Sequence, residues 1–126
     1  MIEPKESNQT TGRQGERIGE DYLKARGYQI LERNVRSPLG EIDLVARHQD
    51  ILVFVEIKTR RANTFGLPEE SVDRRKRSRL IRLASWYLAQ HPKSNPQVRF
   101  DILAIELNRA NHRIRLIQDA FDLSSE

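Results

Sequence analysis

An acid and an amine stand together at the end of one apolar stretch of this chain, and a second acid precedes them. The predicted strand Ile51 to Lys58 begins as an apolar run rich in β-branched residues, typical of a strand covered on both faces. It ends in Glu56 and Lys58, which share a face because side chains two apart on a strand point the same way. Charged groups at the end of a buried strand are costly to desolvate unless they are paired or used in chemistry. Asp43 is separated from Glu56 by twelve residues.

The register of a predicted hairpin decides whether Asp43 and Glu56 meet. Residues 41–47 alternate between apolar and polar positions, which predicts a strand antiparallel to the next one. Facing residues of such a pair have position numbers with a constant sum. A two-residue turn at Gln49 and Asp50, or a four-residue loop, puts Asp43 opposite Glu56, whereas a three-residue loop would separate them. In the favourable register their Cβ atoms lie about 5 Å apart.

Two carboxylates at that separation repel each other, and a divalent cation between them would relieve the repulsion. Oxygen-only ligands suit Mg²⁺ or Mn²⁺, so Asp43 and Glu56 are predicted metal ligands. The alternative is a buried ion pair between Glu56 and Lys58 that binds no ion.

Composition restricts the function classes further. The chain has 126 residues, no cysteine and three histidines far apart in sequence, which excludes disulfides, thiolate metal sites and a spaced histidine pair. It has no apolar run of membrane-spanning length and no signal-peptide core, so we expect a cytoplasmic protein without a membrane partner. The predicted organisation is a flexible N-terminal arm at 1–12, a single domain at 13–118 and an acidic tail at 119–126.

Positive charge is concentrated in one segment. Net charge is +4, and six cations with no acid among them occupy Arg74, Arg75, Lys76, Arg77, Arg79 and Arg82. Without these six charges the remainder would be −2, so the excess is local, as expected of a phosphate-binding surface. The alternative is a solvated helix face. Trp86, predicted on the same outward side, could stack a base, join a dimer interface or lie along the neighbouring polypeptide.

The predicted elements form one α/β domain with a mixed sheet flanked by helices. Their order is helix, three strands, helix, two strands: 13–26, Tyr28 to Arg36, Glu41 to Arg47, Ile51 to Lys58, Pro68 to the His91-Pro92 pair, Val98 to Leu107 and Arg113 to Ile117. Gly15 and Gly19 are poor helix formers, which predicts a close approach of the first helix to the sheet.

The Asp…Glu-x-Lys pattern resembles the signature of the PD-(D/E)xK nucleases, the restriction-endonuclease-like superfamily. Gly-Glu-Ile-Asp-Leu-Val-Ala at 40–46 and Phe-Val-Glu-Ile-Lys-Thr-Arg at 54–60 are similar to the small bacterial YraN-like proteins, relatives of archaeal Holliday-junction resolvases. The resemblance covers roughly Gly15 to Leu107, and it implies a restriction-endonuclease-like core.

The resemblance also implies roles for particular residues. Asp43 and Glu56 would hold Mg²⁺ or Mn²⁺, with the Ile57 carbonyl as a third ligand, and Lys58 would orient or deprotonate the attacking water. Glu16 resembles the helix acid of resolvase-like nucleases and would approach the metal from across the sheet. Its alternative is a solvent-facing acid in the first half of a helix, where the macrodipole favours it.

The implied function is a magnesium-dependent endodeoxyribonuclease acting on branched or structured DNA as a homodimer. Predicted nucleic-acid contacts are Arg36, Arg60, Arg61, Arg74, Arg75, Arg79 and Arg82. Arg36 has an equal alternative, a surface pair with Glu41. The second hypothesis is a nucleic-acid-binding module without cleavage activity. A purely structural or protein-interaction domain would leave the Glu-x-Lys strand end unexplained.

Overall fold

The chain folds into a five-stranded mixed sheet with one α-helix packed on each face. The computed structural model describes residues 8–62, 66–92 and 95–121. The elements are α1 (Asn8–Ala25), β1 (Gln29–Ser37), β2 (Gly40–His48), β3 (Ile51–Arg61), a 3₁₀ turn (Pro68–Ser71), α2 (Arg74–Ala89), β4 (Gln97–Leu107) and β5 (Arg113–Phe121). The strands lie in sequence order, with β3 and β4 parallel and all other neighbours antiparallel. The predicted α/β class with a mixed sheet is confirmed.

The β2–β3 hairpin has the register that brings the acids together. Its two turn residues, Gln49 and Asp50, both have positive φ, of 51° and 67°. A two-residue turn with two left-handed residues matches the twist of the flanking strands. The pairs then run from His48↔Ile51 to Leu44↔Val55, each with position numbers that sum to 99. The predicted register is confirmed over this ladder.

The parallel pairing of β3 with β4 requires a crossover, and the second helix supplies it. The prediction that this helix opens at Pro68 is wrong, because Pro68–Ser71 forms a separate 3₁₀ turn and α2 begins at Arg74. Two contacts set that start. Val72 is buried in the core, and the Asp73 side chain caps the helix by accepting a hydrogen bond of 3.0 Å from the backbone N–H of Lys76.

Alternation along the strands produces two cores, one on each side of the sheet. On the α1 side, Leu23 packs among Val53, Val55, Leu103 and Ile105. The core on the α2 side has the following members: Ile42, Val45, Phe54, Val72, Leu80, Ile81, Leu83, Ala84, Tyr87, Phe100, Ile102 and Phe121. Trp86 is partly buried against this second core, as expected for the alternative in which it lies along the neighbouring polypeptide. No helix in the described ranges is long and apolar enough to cross a membrane.

Helix α1 starts earlier and strand β5 ends later than the sequence predicted. Helix α1 begins at Asn8, so residues 8–12 of the predicted arm are helical, and β5 continues to Phe121, so residues 119–121 of the predicted tail are strand. Asp119 has a φ of 52° and donates its backbone N–H to Asp101 Oδ1 at 3.0 Å, which carries the chain past a bulge. Phe121 then stacks on Phe100, with ring centroids 4.7 Å apart. Residues 1–7 and 122–126 of the predicted arm and tail lie outside the described ranges.

Two glycines allow α1 to lie directly on the sheet. A Cβ on Gly15 would overlap the side chain of Thr59 on β3, and one on Gly19 would lie 2.8 Å from Leu103 Cδ2 on β4. The predicted close approach is confirmed. It places the first turns of α1 against the segment that follows Glu56 and Lys58.

Replacing Gly15 by alanine should therefore destabilise the fold, although alanine is the better helix former. We expect a loss of about 1–3 kcal/mol in the free energy of unfolding, because Thr59 Cβ cannot move without its strand. Urea denaturation of Gly15→Ala against wild type measures it.

Gly12→Ala is the matched control, since its added Cβ would have no atom within 4 Å among the described residues, apart from its chain neighbours and its own helix backbone. That change should be neutral or stabilise the protein by up to about 1 kcal/mol. Equal stability of the two variants would contradict the close packing of α1 on β3.

Candidate active site

The site is built around Glu56, a carboxylate buried near the end of β3. Glu56 is 7% exposed. It lies on the α2 side of the sheet, because its chain neighbours Val55 and Ile57 pack on the α1 side. Phe54, two residues earlier, belongs to the α2-side core. A carboxylate in this position needs compensating groups, and those groups come from β2, β3 and α2.

At Asp43, which the register places opposite Glu56, the regular pairing of β2 with β3 ends. The neighbours of Asp43 show the irregularity: Ile42 packs in the α2-side core and Leu44 in the α1-side core, although residues two apart on a regular strand share a face. The β2–β3 ladder extends as far as Leu44↔Val55. Beyond it, Asp43 Oδ2 accepts a hydrogen bond of 2.8 Å from the Ile57 backbone N–H. The side chain of Asp43 thus takes a hydrogen bond that a strand carbonyl would otherwise accept, and its carboxyl turns toward β3.

The two carboxyl groups are close enough to perturb each other. Burial raises the pKa of Asp43 to about 7, with further increases from the negative charges of Glu56 and Glu16 and from a hydrogen bond between the Asp43 and Glu56 carboxyls. The hydrogen bond from Ile57 opposes this shift. Full ionisation of both carboxyls is therefore unfavourable without added positive charge.

Two lysine ammoniums supply part of that charge. Lys58 Nζ lies 3.7 Å and Lys76 Nζ 3.2 Å from the same oxygen, Oε1 of Glu56. Burial lowers the pKa of Lys58, and the neighbouring Lys76 lowers it further, while Glu56 and Asp43 oppose the shift. The amine of Lys58 consequently gives up its proton more readily than an ordinary lysine.

Lys76 was missed as a site residue by sequence reasoning, which counted it among the surface cations. A signal was present: Lys76 precedes Leu80 by four positions, so it extends the buried stripe of α2 by one turn. Its neighbour Arg77 also turns inward and donates to the Val72 carbonyl at 3.1 Å.

Glu16 lies near the pair but outside it. It is partly buried on α1 and lines a surface pocket together with Thr11, Gly12, Ile57, Lys58 and Thr59. Burial raises its pKa, followed by the charges of Glu41 and Glu20. In the part of the chain that the structure describes, no three His, Asp or Glu side chains converge as a metal cluster. The structure thus brings Asp43 and Glu56 together and leaves Glu16 at longer range.

The predicted nucleic-acid contacts fall into two groups around the site. Exposed cations line α2 at Arg74, Arg75, Arg79 and Arg82. Arg79 also lies beside the β1–β2 turn, with its Cδ 3.8 Å from the Cβ position of Gly40. The N-terminal end of α2 therefore joins this basic face to the carboxylate pair through Lys76.

The remaining three arginines lie at strand ends. Arg36 is exposed, and its Nε lies 3.9 Å from Glu41 Oε2. This is the surface pair considered as the alternative for Arg36, and at this distance and exposure it is weak. Arg60 and Arg61, at the end of β3, line a polar pocket with Ala62, Gly66, Glu106, Asn108 and Arg113.

A second buried carboxylate, Asp101 on β4, shows what a purely structural acid looks like in this fold. It is 1% exposed and accepts hydrogen bonds from Tyr28 Oη at 2.7 Å, from the Arg99 guanidinium at 2.9 Å and from the Asp119 N–H at 3.0 Å. All its partners are donors held by the fold. Asp43 and Glu56 instead face each other, so the acid pair is the arrangement with an unmet need for positive charge.

Because the folded-state pKa of Asp43, about 7, lies above its ordinary value of 3.8, the folded protein binds more protons than the unfolded chain between these two pH values. Folding stability should therefore fall as the pH rises through this interval. Asp43→Asn keeps an acceptor for the Ile57 N–H and removes the charge. With a chelator present to remove metal ions, the free energy of unfolding of Asp43→Asn should exceed that of wild type by on the order of 2 kcal/mol at about pH 8. The two should differ little at about pH 4.

Denaturant unfolding across the pH range measures this difference. Glu41→Gln, which removes an exposed acid from the same strand, is the control and should follow the wild-type pH profile. Parallel profiles for wild type and Asp43→Asn would contradict the proximity of the two carboxyls.

Comparison with known proteins identifies the family. The pattern described as "Uncharacterised protein family UPF0102" matches residues 15–105. A UPF0102 protein of Symbiobacterium thermophilum is 48% identical over 111 residues, 87% of this chain and 94% of the relative. Another, of Syntrophus aciditrophicus, is 41% identical over 124 residues, 98% of each chain. A third, of Syntrophotalea carbinolica, is 43% identical over 112 residues, 89% of this chain and 91% of the relative. The chain therefore belongs to the UPF0102 family of small, YraN-like bacterial proteins.

Proposed function

We propose that this protein is a divalent-metal-dependent endonuclease of the restriction-endonuclease-like type, which hydrolyses phosphodiester bonds in branched or structured DNA. The observation that carries the proposal is the closeness of the Asp43 and Glu56 carboxyls at the end of a buried strand, with the Lys58 ammonium 3.7 Å from Glu56 Oε1. The resemblance to resolvases adds a homodimer in the cytoplasm as the expected working form.

The donor set fits Mg²⁺ or Mn²⁺. Asp43 and Glu56 present carboxylate oxygens, the Ile57 carbonyl is a third candidate ligand, and the chain has no cysteine. A bound divalent cation would acidify the attacking water and offset charge on the phosphate in the transition state. The raised pKa of Asp43 supports this fit: burial raises it first and the charge of Glu56 raises it further, and a bound cation would offset both effects by stabilising the carboxylate.

The other residues then have separate tasks. Lys58 Nζ would orient the attacking water and accept its proton, which its lowered pKa favours. Arg74, Arg75, Arg79 and Arg82 on α2 would hold the phosphate backbone next to the site. Arg36, Arg60 and Arg61 would extend that surface, and Glu16 would act on the site electrostatically through Asp43.

A second candidate function is a nucleic-acid-binding module of the same fold without cleavage activity. The observation that favours it is the double contact of Glu56 with Lys58 and Lys76, which already offsets the acidic charge. In this case the basic face of α2 would bind nucleic acid, and the acid pair would be a vestigial site without catalytic activity.

A cleavage assay separates the two candidates. Linear, flapped, four-way-junction and single-stranded substrates are incubated with Mg²⁺ or Mn²⁺ and with wild type, Asp43→Ala or Lys58→Ala. For an endonuclease we expect each variant to lose about 100-fold or more in rate, because a cation ligand or the group on the attacking water is gone. Both variants should still bind the substrate, since the α2 cations remain.

Glu41→Ala, which removes an exposed acid two residues from Asp43, is the matched control and should cleave like wild type. A wild type that binds a substrate in a salt-dependent manner yet cleaves none would support the binding module. Cleavage that survives Asp43→Ala would reveal a contaminating nuclease.

A further inference from the structure

Lys76 occupies the position in which a cation would neutralise Glu56. Its Nζ lies 3.2 Å from Glu56 Oε1, closer than the 3.7 Å of Lys58. The side chains of Lys76 and Glu56 are 20% and 9% exposed, so water screens this contact poorly. Arg74 and Arg75, directly before Lys76, are exposed.

The fold holds Lys76 in this place. Asp73 caps α2 through the Lys76 backbone N–H, and Leu80, one turn further on, is buried in the core. These two contacts fix the rotation of the first turn of α2 and direct position 76 toward the sheet. The methylene chain of Lys76 is flexible, but its backbone position is fixed over the acid pair.

An ammonium and a divalent cation that contact the same carboxylate oxygen repel each other. A cation that binds Glu56 must displace the Lys76 ammonium or accept its repulsion, and both effects weaken binding. Removal of the Lys76 charge should therefore strengthen cation binding, whereas loss of an exposed charge nearby should change it little.

We propose that Lys76 is a built-in counter-ion that competes with the divalent cation for Glu56 and so sets the cation concentration at which the site fills. This inference rests on the proposed metal site. Lys76 acts through Glu56 and is a positioning residue. In the absence of the cation it offsets part of the negative charge of the acid pair.

The test is direct titration of the full chain with Mn²⁺, at fixed pH and ionic strength, by calorimetry or by electron paramagnetic resonance of free Mn²⁺. Lys76→Met keeps an unbranched side chain and removes the charge. We expect it to bind Mn²⁺ about tenfold more tightly than wild type, the scale of a partly buried ion pair. Lys76→Arg keeps the charge and should remain within about twofold of wild type.

Arg75→Met is the matched control, because it removes one positive charge from the adjacent exposed position and should shift Mn²⁺ affinity less than about twofold. Lys76→Gln removes the same charge as Lys76→Met and gives the same comparison if the methionine variant fails to fold.

The outcomes distinguish the inference from the function on which it rests. Mn²⁺ binding that is abolished by Asp43→Asn but is equal in Lys76→Met and Arg75→Met would overturn the inference and leave the metal site intact. A lack of Mn²⁺ binding in wild type and in both Lys76 variants would overturn the metal site and the inference together. Tenfold tighter binding in Lys76→Met alone supports both.

Discussion

The contact between the Asp43 and Glu56 carboxyls is the constraint that shapes the rest of this site. Two acids at the buried end of a β-hairpin are unfavourable as a pair of anions, and three features of the structure reduce this cost. Burial and the charge of Glu56 raise the pKa of Asp43 to about 7, the Asp43 carboxyl accepts a hydrogen bond from the Ile57 N–H, and two ammoniums approach Glu56. An isolated hairpin could not support this arrangement, because the second ammonium comes from α2.

The two helices have different parts in maintaining the pair. Helix α1 lies so close to β3 that glycine is required at position 15, and this approach brings Glu16 near enough to raise the pKa of Asp43. Helix α2 contributes the opposite charge through Lys76 and carries the basic face alongside. The sheet is thus flanked by an acidic neighbour on one side and a cationic one on the other, and the electrostatic balance of the pair depends on both helices.

Local patterns predicted much of this arrangement because they act over short distances. The Gln49-Asp50 turn and the alternation of the two strands determine the hairpin register, and with it the meeting of Asp43 and Glu56. The departure of Asp43 from the ladder was beyond such reasoning, since it depends on a side chain replacing a backbone acceptor. The inward position of Lys76 depends on where α2 begins. The Asp73 cap and the burial of Val72 set that start at Arg74, although the proline at Pro68 favours an earlier one. Tertiary contacts outweighed local propensity in each of these cases.

The central claim is that Asp43 and Glu56 together hold a divalent cation, and crystals soaked in Mn²⁺ test it most directly. Anomalous difference density identifies the ion without reference to activity or substrate. The account predicts one strong peak shared by the Asp43 and Glu56 carboxylates, with the Lys76 ammonium displaced from Glu56 Oε1. Crystals soaked at saturating Mn²⁺ that show no peak there, with Lys76 still paired to Glu56, would contradict it and identify the acid pair as a structural ion-pair cluster.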